Sequence, residues 1–102
     1  MKIVMVQYKV KSDRAEENVA YINKVFDQLR TEQPQGLQYA SFRQADGLRF
    51  VHLSIATGAD GKNPLTALAA FKAFAANVAD RCDEPPVAVE LAAVGSYRFF
   101  AT

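Results

Sequence analysis

From Met1 to Val10 (MKIVMVQYKV) apolar and polar side chains alternate closely enough to predict a strand rich in Ile, Val and Tyr. The period then lengthens. Val19, Ile22, Val25, Phe26 and Leu29 recur at helical spacing and make one apolar stripe, with Glu16, Glu17, Lys24, Asp27 and Arg30 on the solvated side. Asp13 is placed to cap this helix and Glu16 completes a capping-box pattern. The QPQG stretch, Gln33 to Gly36, ends it through the missing donor of Pro34. Alternation returns over Leu37 to Ala56, interrupted by Asp46-Gly47, a dipeptide suited to a two-residue type I′ hairpin turn.

After the TGADGKN loop, Asn63-Pro64 reads as an N-cap followed by proline at the first helical position. The alanine-rich helix that follows, residues 65–82, turns Leu65, Leu68, Phe71, Ala75 and Val78 inward. Pro85-Pro86 stops it, and VAVELAAVGSYRFF, residues 87–100, supplies the last strand. The order β-α-β-β-α-β predicts one α+β, ferredoxin-like domain over residues 1–102, a four-stranded antiparallel sheet with both helices on one face.

The hairpin also predicts faces. A turn at Asp46-Gly47 pairs Ala45 with Leu48, Arg43 with Phe50, Ser41 with His52 and Tyr39 with Ser54. Opposed residues share a face. One face therefore carries Tyr39, Ser41, Arg43, Phe50, His52 and Ser54, the other Ala40, Phe42, Val51, Leu53 and Ile55. Burying the purely apolar set under the helices leaves His52, the chain's only histidine, on the open face. By the same reasoning Val89, Leu91 and Ala93 point inward and Glu90, Ala92 and Val94 outward, with Val4, Val6 and Tyr8 inward and Ile3, Met5 and Gln7 outward. The open face then holds Ile3, Met5, Phe50, Ala92 and Val94 beside Tyr39, a patch too apolar to leave in water. A twofold homodimer through that face covers it and encloses a cavity lined by its polar members.

Composition narrows the chemistry. A net charge of +1 without a basic stripe gives no footprint for nucleic acid. No apolar run is long enough to span a membrane, and the N-terminus reads as a strand rather than a signal peptide. One cysteine, Cys82, excludes an intrachain disulfide and fits a reducing cytoplasm. One histidine and scattered acids do not make a metal site, and Ala59 to Asn63 lacks phosphate-loop spacing.

At the level of family, the chain resembles the dimeric α/β-barrel superfamily and, within it, the antibiotic-biosynthesis-monooxygenase-like (ABM-like) group. The element order, the MKIVMVQYKVKSDRAEEN opening and the AFKAFAAN segment of the second helix carry the resemblance, over nearly the whole length. It implies a small homodimer with one cavity per subunit. Some members oxidise aromatic or quinol-like molecules with dioxygen and no cofactor, others degrade haem or isomerise lactones. The chain departs from the group by having no tryptophan and by placing Phe74 where a second-helix histidine is expected, which removes the haem ligand.

The expected function is a cofactor-free monooxygenase acting on a small apolar or aromatic, phenol- or quinol-type molecule. His52 is the candidate base, because its ordinary pKa lies near neutrality. Arg43 is the candidate stabiliser of an oxyanion, with Glu90 as its acidic partner. Tyr39, Ser41, Phe50, Ser54 and Tyr97 are candidate ligand contacts. The alternative is a non-catalytic ligand-binding or structural dimer in which His52 hydrogen-bonds Ser41. Isomerase or lyase chemistry needs the same base without oxygen.

Overall fold

The computed structural model describes residues 1–99. The elements are β1 (Lys2–Val10), α1 (Ala15–Glu32), β2 (Leu37–Arg43), β3 (Arg49–Ala56), α2 (Ala69–Ala76) and β4 (Cys82–Leu91). All strand pairs are antiparallel, in the order β2-β3-β1-β4. This is the expected α+β ferredoxin-like arrangement. Its core joins Tyr8, Val10 and Phe50 of the sheet to Ile22 and Val25 of α1 and to Leu65, Leu68 and Phe74 around α2.

Helix α1 buries the expected stripe at Ile22 and Val25, with Val19, Phe26 and Leu29 half-buried against the core. Its N-terminus differs: Arg14, not Asp13, is the cap residue, and no side chain caps there. The chain enters through a turn in which Arg14 N–H donates to the Lys11 carbonyl, while the Arg14 side chain turns forward to Glu17. Gln33 closes the helix in the left-handed region, returning its N–H to the Leu29 carbonyl just before Pro34.

The second helical segment is broken rather than continuous. A 3-10 turn, Pro64–Ala67, is capped by the Asn63 carboxamide, which accepts the Leu65 N–H at 3.0 Å as expected. Leu68 then adopts extended backbone before α2 begins. The Gln28 side chain of α1 accepts the freed Ala70 N–H at 2.8 Å. The break rotates the helix, so Phe74 is buried whereas Ala75, expected inward, is exposed. Strand β4 starts at Cys82 and includes Pro85-Pro86, expected to precede it. It is an edge strand, and between Glu84 and Val87 its register slips against Gln7 and Lys9 of β1, a bulge that needs no donor from either proline. The expected last strand ran to Phe100, but β4 ends at Leu91 and residues 92–99 form no strand, while Phe100 lies outside the described residues.

The hairpin pairs as expected, Arg43 with Phe50, Ser41 with His52 and Tyr39 with Ser54. The turn is not type I′, because Gly47 has φ 75 but Asp46 does not share its positive φ. Gly47 N–H donates to Gln44 at 2.9 Å, Gln44 N–H donates to Arg49 at 2.9 Å, and the Asp46 carboxylate accepts Leu48 N–H at 2.9 Å. The loop is longer by one residue on each side, which leaves every pair beyond it unchanged.

The faces of β2, β3 and β4 are the reverse of the expectation. Val4, Val6 and Tyr8 of β1 lie inward as expected, and they pair with Ser54, His52 and Phe50. His52 and Phe50 are therefore buried beneath the helices. The open face carries Phe42, Val51, Leu53 and Ile55 in rows with Gln7, Met5 and Ile3 and with Val87, Val89 and Leu91 of β4. Apolarity alone did not discriminate, since both faces are rich in large apolar side chains. The inner set wins by burying its rings in stacks while satisfying its polar atoms among themselves. Tyr8 stacks on Phe50 at 5.6 Å between centroids, and no buried side-chain polar atom among the described residues lacks a partner.

Candidate functional site

Strand register brings three hydroxyls to the one imidazole. Tyr39 and Ser41 alternate along β2 opposite His52 of β3, and Tyr8 follows Val6 on the neighbouring strand. His52 Nδ1 lies 2.6 Å from Tyr39 Oη and 2.7 Å from Ser41 Oγ. Its Nε2 lies 2.7 Å from Tyr8 Oη. The imidazole stacks on Tyr8 at 5.3 Å between centroids and meets Phe74 of α2, also at 5.3 Å and tilted.

The polar chain continues into the helices. Asn18 Nδ2 of α1 donates to Tyr8 Oη at 2.8 Å. Asn18 Oδ1 accepts both Nε and Nη2 of Arg81, each at 3.1 Å. Arg81 also donates to the Phe74 carbonyl at 3.2 Å and to Asn77 Oδ1, and its guanidinium lies 4.4 Å from the centre of the Tyr21 ring. Both Asn18 and Arg81 are fully buried. All these partners of the buried guanidinium are neutral.

Burial sets the electrostatics. With only 5% of its surface exposed, His52 pays a desolvation penalty for charging that lowers its pKa to about 4, so it is neutral at pH 7. Burial also pushes the Tyr8 phenol up, partly offset by the bond from Asn18, and raises Tyr39 against an opposing bond from Ser41. The tyrosines too are neutral hydrogen-bonding groups at pH 7.

A cavity of about 180 Å³ opens beside the imidazole, between the sheet and the second helical segment. Val4, Val6, Leu65, Phe71 and Phe74 make its apolar walls, and Tyr39, His52, Ser54, Asn63 and Thr66 its polar ones. Asn63 Nδ2 reaches Ser54 Oγ at 3.4 Å. An apolar cavity of roughly 150 Å³ holds a benzene ring, so this one matches a single substituted ring.

Three of the seven candidate residues, His52, Tyr39 and Ser54, line this cavity, and Ser41 supports His52 from outside the lining through Nδ1. Phe50 lies in the core behind Tyr8, outside the lining. Arg43 does not reach His52: it donates to the Gly47 carbonyl at 2.9 Å, pairs with Glu16 at 3.2 Å rather than with Glu90, and lies over Phe50. Tyr97 is 80% exposed and lines a separate depression with Ile3, Leu53 and Leu91 on the open face. Sequence reading had Tyr8 inward but gave it no role, and it missed Asn18, Asn63, Thr66 and Arg81. An asparagine within the apolar spacing of α1 was the available signal for Asn18. Among the described residues no cluster of His, Cys, Asp or Glu is arranged to hold a metal ion, and no helix is long and apolar enough to cross a membrane.

No family profile and no curated protein matches the chain by sequence. Solved structures match it by shape. A protein from Nitrosomonas europaea assigned as an antibiotic biosynthesis monooxygenase aligns with TM-score 0.76 and 22% identity, covering 93% of this chain and 100% of its own. NE2512, a protein of unknown function from the same organism, aligns with TM-score 0.71 and 13% identity over 94% of this chain and 92% of its own. A variant of SnoaB, a cofactor-independent oxygenase from Streptomyces nogalater, aligns with TM-score 0.66 and 15% identity over 93% of this chain and 95% of its own. Several of the matching structures carry antibiotic biosynthesis monooxygenase in their names, and this chain shares their ferredoxin-like βαββαβ fold.

Proposed function

We propose that the protein is a cofactor-independent monooxygenase-like catalyst acting on a small, single-ring phenol- or quinol-type molecule held between the sheet and α2. One observation carries this reading: a ring-sized apolar cavity of about 180 Å³ ends in the neutral, hydroxyl-flanked imidazole of His52. The oxygenase among the structural neighbours supports it as analogy of fold.

Such a substrate supplies its own electrons. Ionised before it binds, with its proton left to solvent, it is an anion whose charge is shared between oxygen and a ring carbon. Dioxygen takes two electrons from that carbon and bonds to it as a peroxide. Protonation and loss of water then leave a carbonyl at that carbon, so that a phenol with a ring C–H, together with O2, becomes a quinone and H2O. In this scheme His52 is the catalytic group, held by Ser41 from behind, and with Tyr39 it forms the polar end at which the substrate oxygen is held as its anion. Phe71 and Phe74 flank the ring and exclude water. Arg43, tied to Glu16 and Gly47, keeps the hairpin against α1 instead.

The working unit in this proposal is a homodimer through the open sheet face. Phe42, Val87, Val89 and Leu91 stand there at 52%, 61%, 41% and 37% exposure, an apolar surface that water disfavours.

Oxygen uptake with a panel of single-ring quinols tests the reading. The expected result is enzyme-dependent uptake with one O2 consumed per product, lowered about 100-fold in His52→Gln. A second reading rests on the occupancy of both imidazole nitrogens in the free protein: a dimer that binds the same ring without turning it over. Saturable binding without uptake selects it.

A further inference from the structure

The chain from Arg81 to His52 has a direction. A guanidinium only donates and does not lose its proton in proteins. Arg81 places two N–H groups on Asn18 Oδ1, which fixes the carboxamide and turns Nδ2 toward Tyr8. Tyr8 Oη accepts that bond. The other partner of this buried hydroxyl among the described residues is His52 Nε2, so the phenol proton goes to Nε2. A neutral imidazole that accepts at Nε2 carries its own proton on Nδ1, between Tyr39 Oη and Ser41 Oγ. With Nδ1–H donating to its oxygen, Tyr39 has its own proton left for the cavity that it lines.

We infer that buried Arg81, through Asn18 and Tyr8, fixes the proton of His52 on Nδ1 and thereby makes Tyr39 a donor, so that the cavity takes ligands through an oxygen acceptor, a phenolate or a carbonyl. Arg81, Asn18 and Tyr8 are positioning residues here. The proton direction stands on hydrogen-bond geometry alone, whereas the ligand clause rests on the cavity reading proposed above. In the oxygenation scheme the consequence is specific: His52 holds the substrate anion through Tyr39 rather than acting as its base.

The decisive variant is Asn18→Asp. A carboxylate in that place accepts from Arg81 and from Tyr8 alike, so the Tyr8 proton turns away from His52 and Nε2 becomes the donor to Tyr8. Nitrogen-15 NMR of histidine-labelled protein at neutral pH reads which ring nitrogen carries the proton. The expected result is protonation at Nδ1 in the wild type and at Nε2 in Asn18→Asp. A wild-type proton on Nε2, a reading that needs no variant to fold, overturns the inference, as does a folded Asn18→Asp protein whose proton stays on Nδ1.

The ligand clause is read with 4-nitrophenol, whose ionised form absorbs separately. The wild type is expected to bind the phenolate at least about tenfold more tightly than the phenol, and Asn18→Asp to lose that preference. Equal binding of the two forms overturns the clause. No binding of either form, with the proton found on Nδ1, upholds the proton direction and overturns the cavity reading.

Discussion

Tyr8 and His52 lie ring over ring beneath the helices, with centroids 5.3 Å apart and Tyr8 Oη 2.7 Å from His52 Nε2. The pair joins the sheet to α1, because the same phenol oxygen accepts from Asn18 at 2.8 Å. Stability and site chemistry therefore meet at one hydroxyl.

Tyr8→Phe keeps the stack and removes the hydroxyl, leaving Asn18 Nδ2 and His52 Nε2 buried without their partner. The expected loss is about 1–3 kcal/mol of folding free energy, read as a lower urea midpoint at unchanged slope. A midpoint equal to wild type would show that this hydroxyl contributes nothing net.

The pH dependence follows from His52. Its folded pKa, about 4, lies below the ordinary 6.5 of the unfolded chain, so the unfolded state binds more protons between these values. Its contribution is fully present above pH 6.5, is lost as pH falls through that window, and levels off below about 4. The total is on the order of 3 kcal/mol. His52→Gln is expected to flatten this part of the stability profile, measured by urea unfolding across the window.

Phe74 separates the cavity from Arg81, touching His52 on one side while the guanidinium lies 5.2 Å from its ring centre on the other. Truncation to alanine is expected to cost about 3–5 kcal/mol. Benzene or phenol added to the variant is expected to raise its melting temperature more than it raises that of wild type. Equal shifts would mean that the enlarged space collapses.

Arg43→Ala is expected to leave any oxygen uptake within about twofold of wild type and to cost less than about 1 kcal/mol, because its pair with exposed Glu16 is a surface ion pair. A loss of uptake comparable to that of His52→Gln would return Arg43 to the site.

On the open face, Val89→Lys is expected to convert a dimer into a folded monomer, followed by sedimentation velocity and circular dichroism. A wild-type protein that sediments as a monomer at micromolar concentration would remove the interface from the proposal.

The alternation of β1, the stripe of α1 and the Asn63-Pro64 cap were legible because each rests on neighbours in the chain. Those local rules determined the βαββαβ order and the cross-strand pairs Ser41–His52 and Arg43–Phe50, and they placed Val4, Val6 and Tyr8 inward. They did not determine which side of β2, β3 and β4 meets the helices. Both faces are apolar enough, and the deciding terms are non-local: Tyr8 reaches Asn18 and His52, and Arg81 reaches Asn18 across the fold. Only the tertiary structure could turn a histidine suited to an open face into a buried one, because the free energy of burying it depends on partners that no spacing in the sequence reveals.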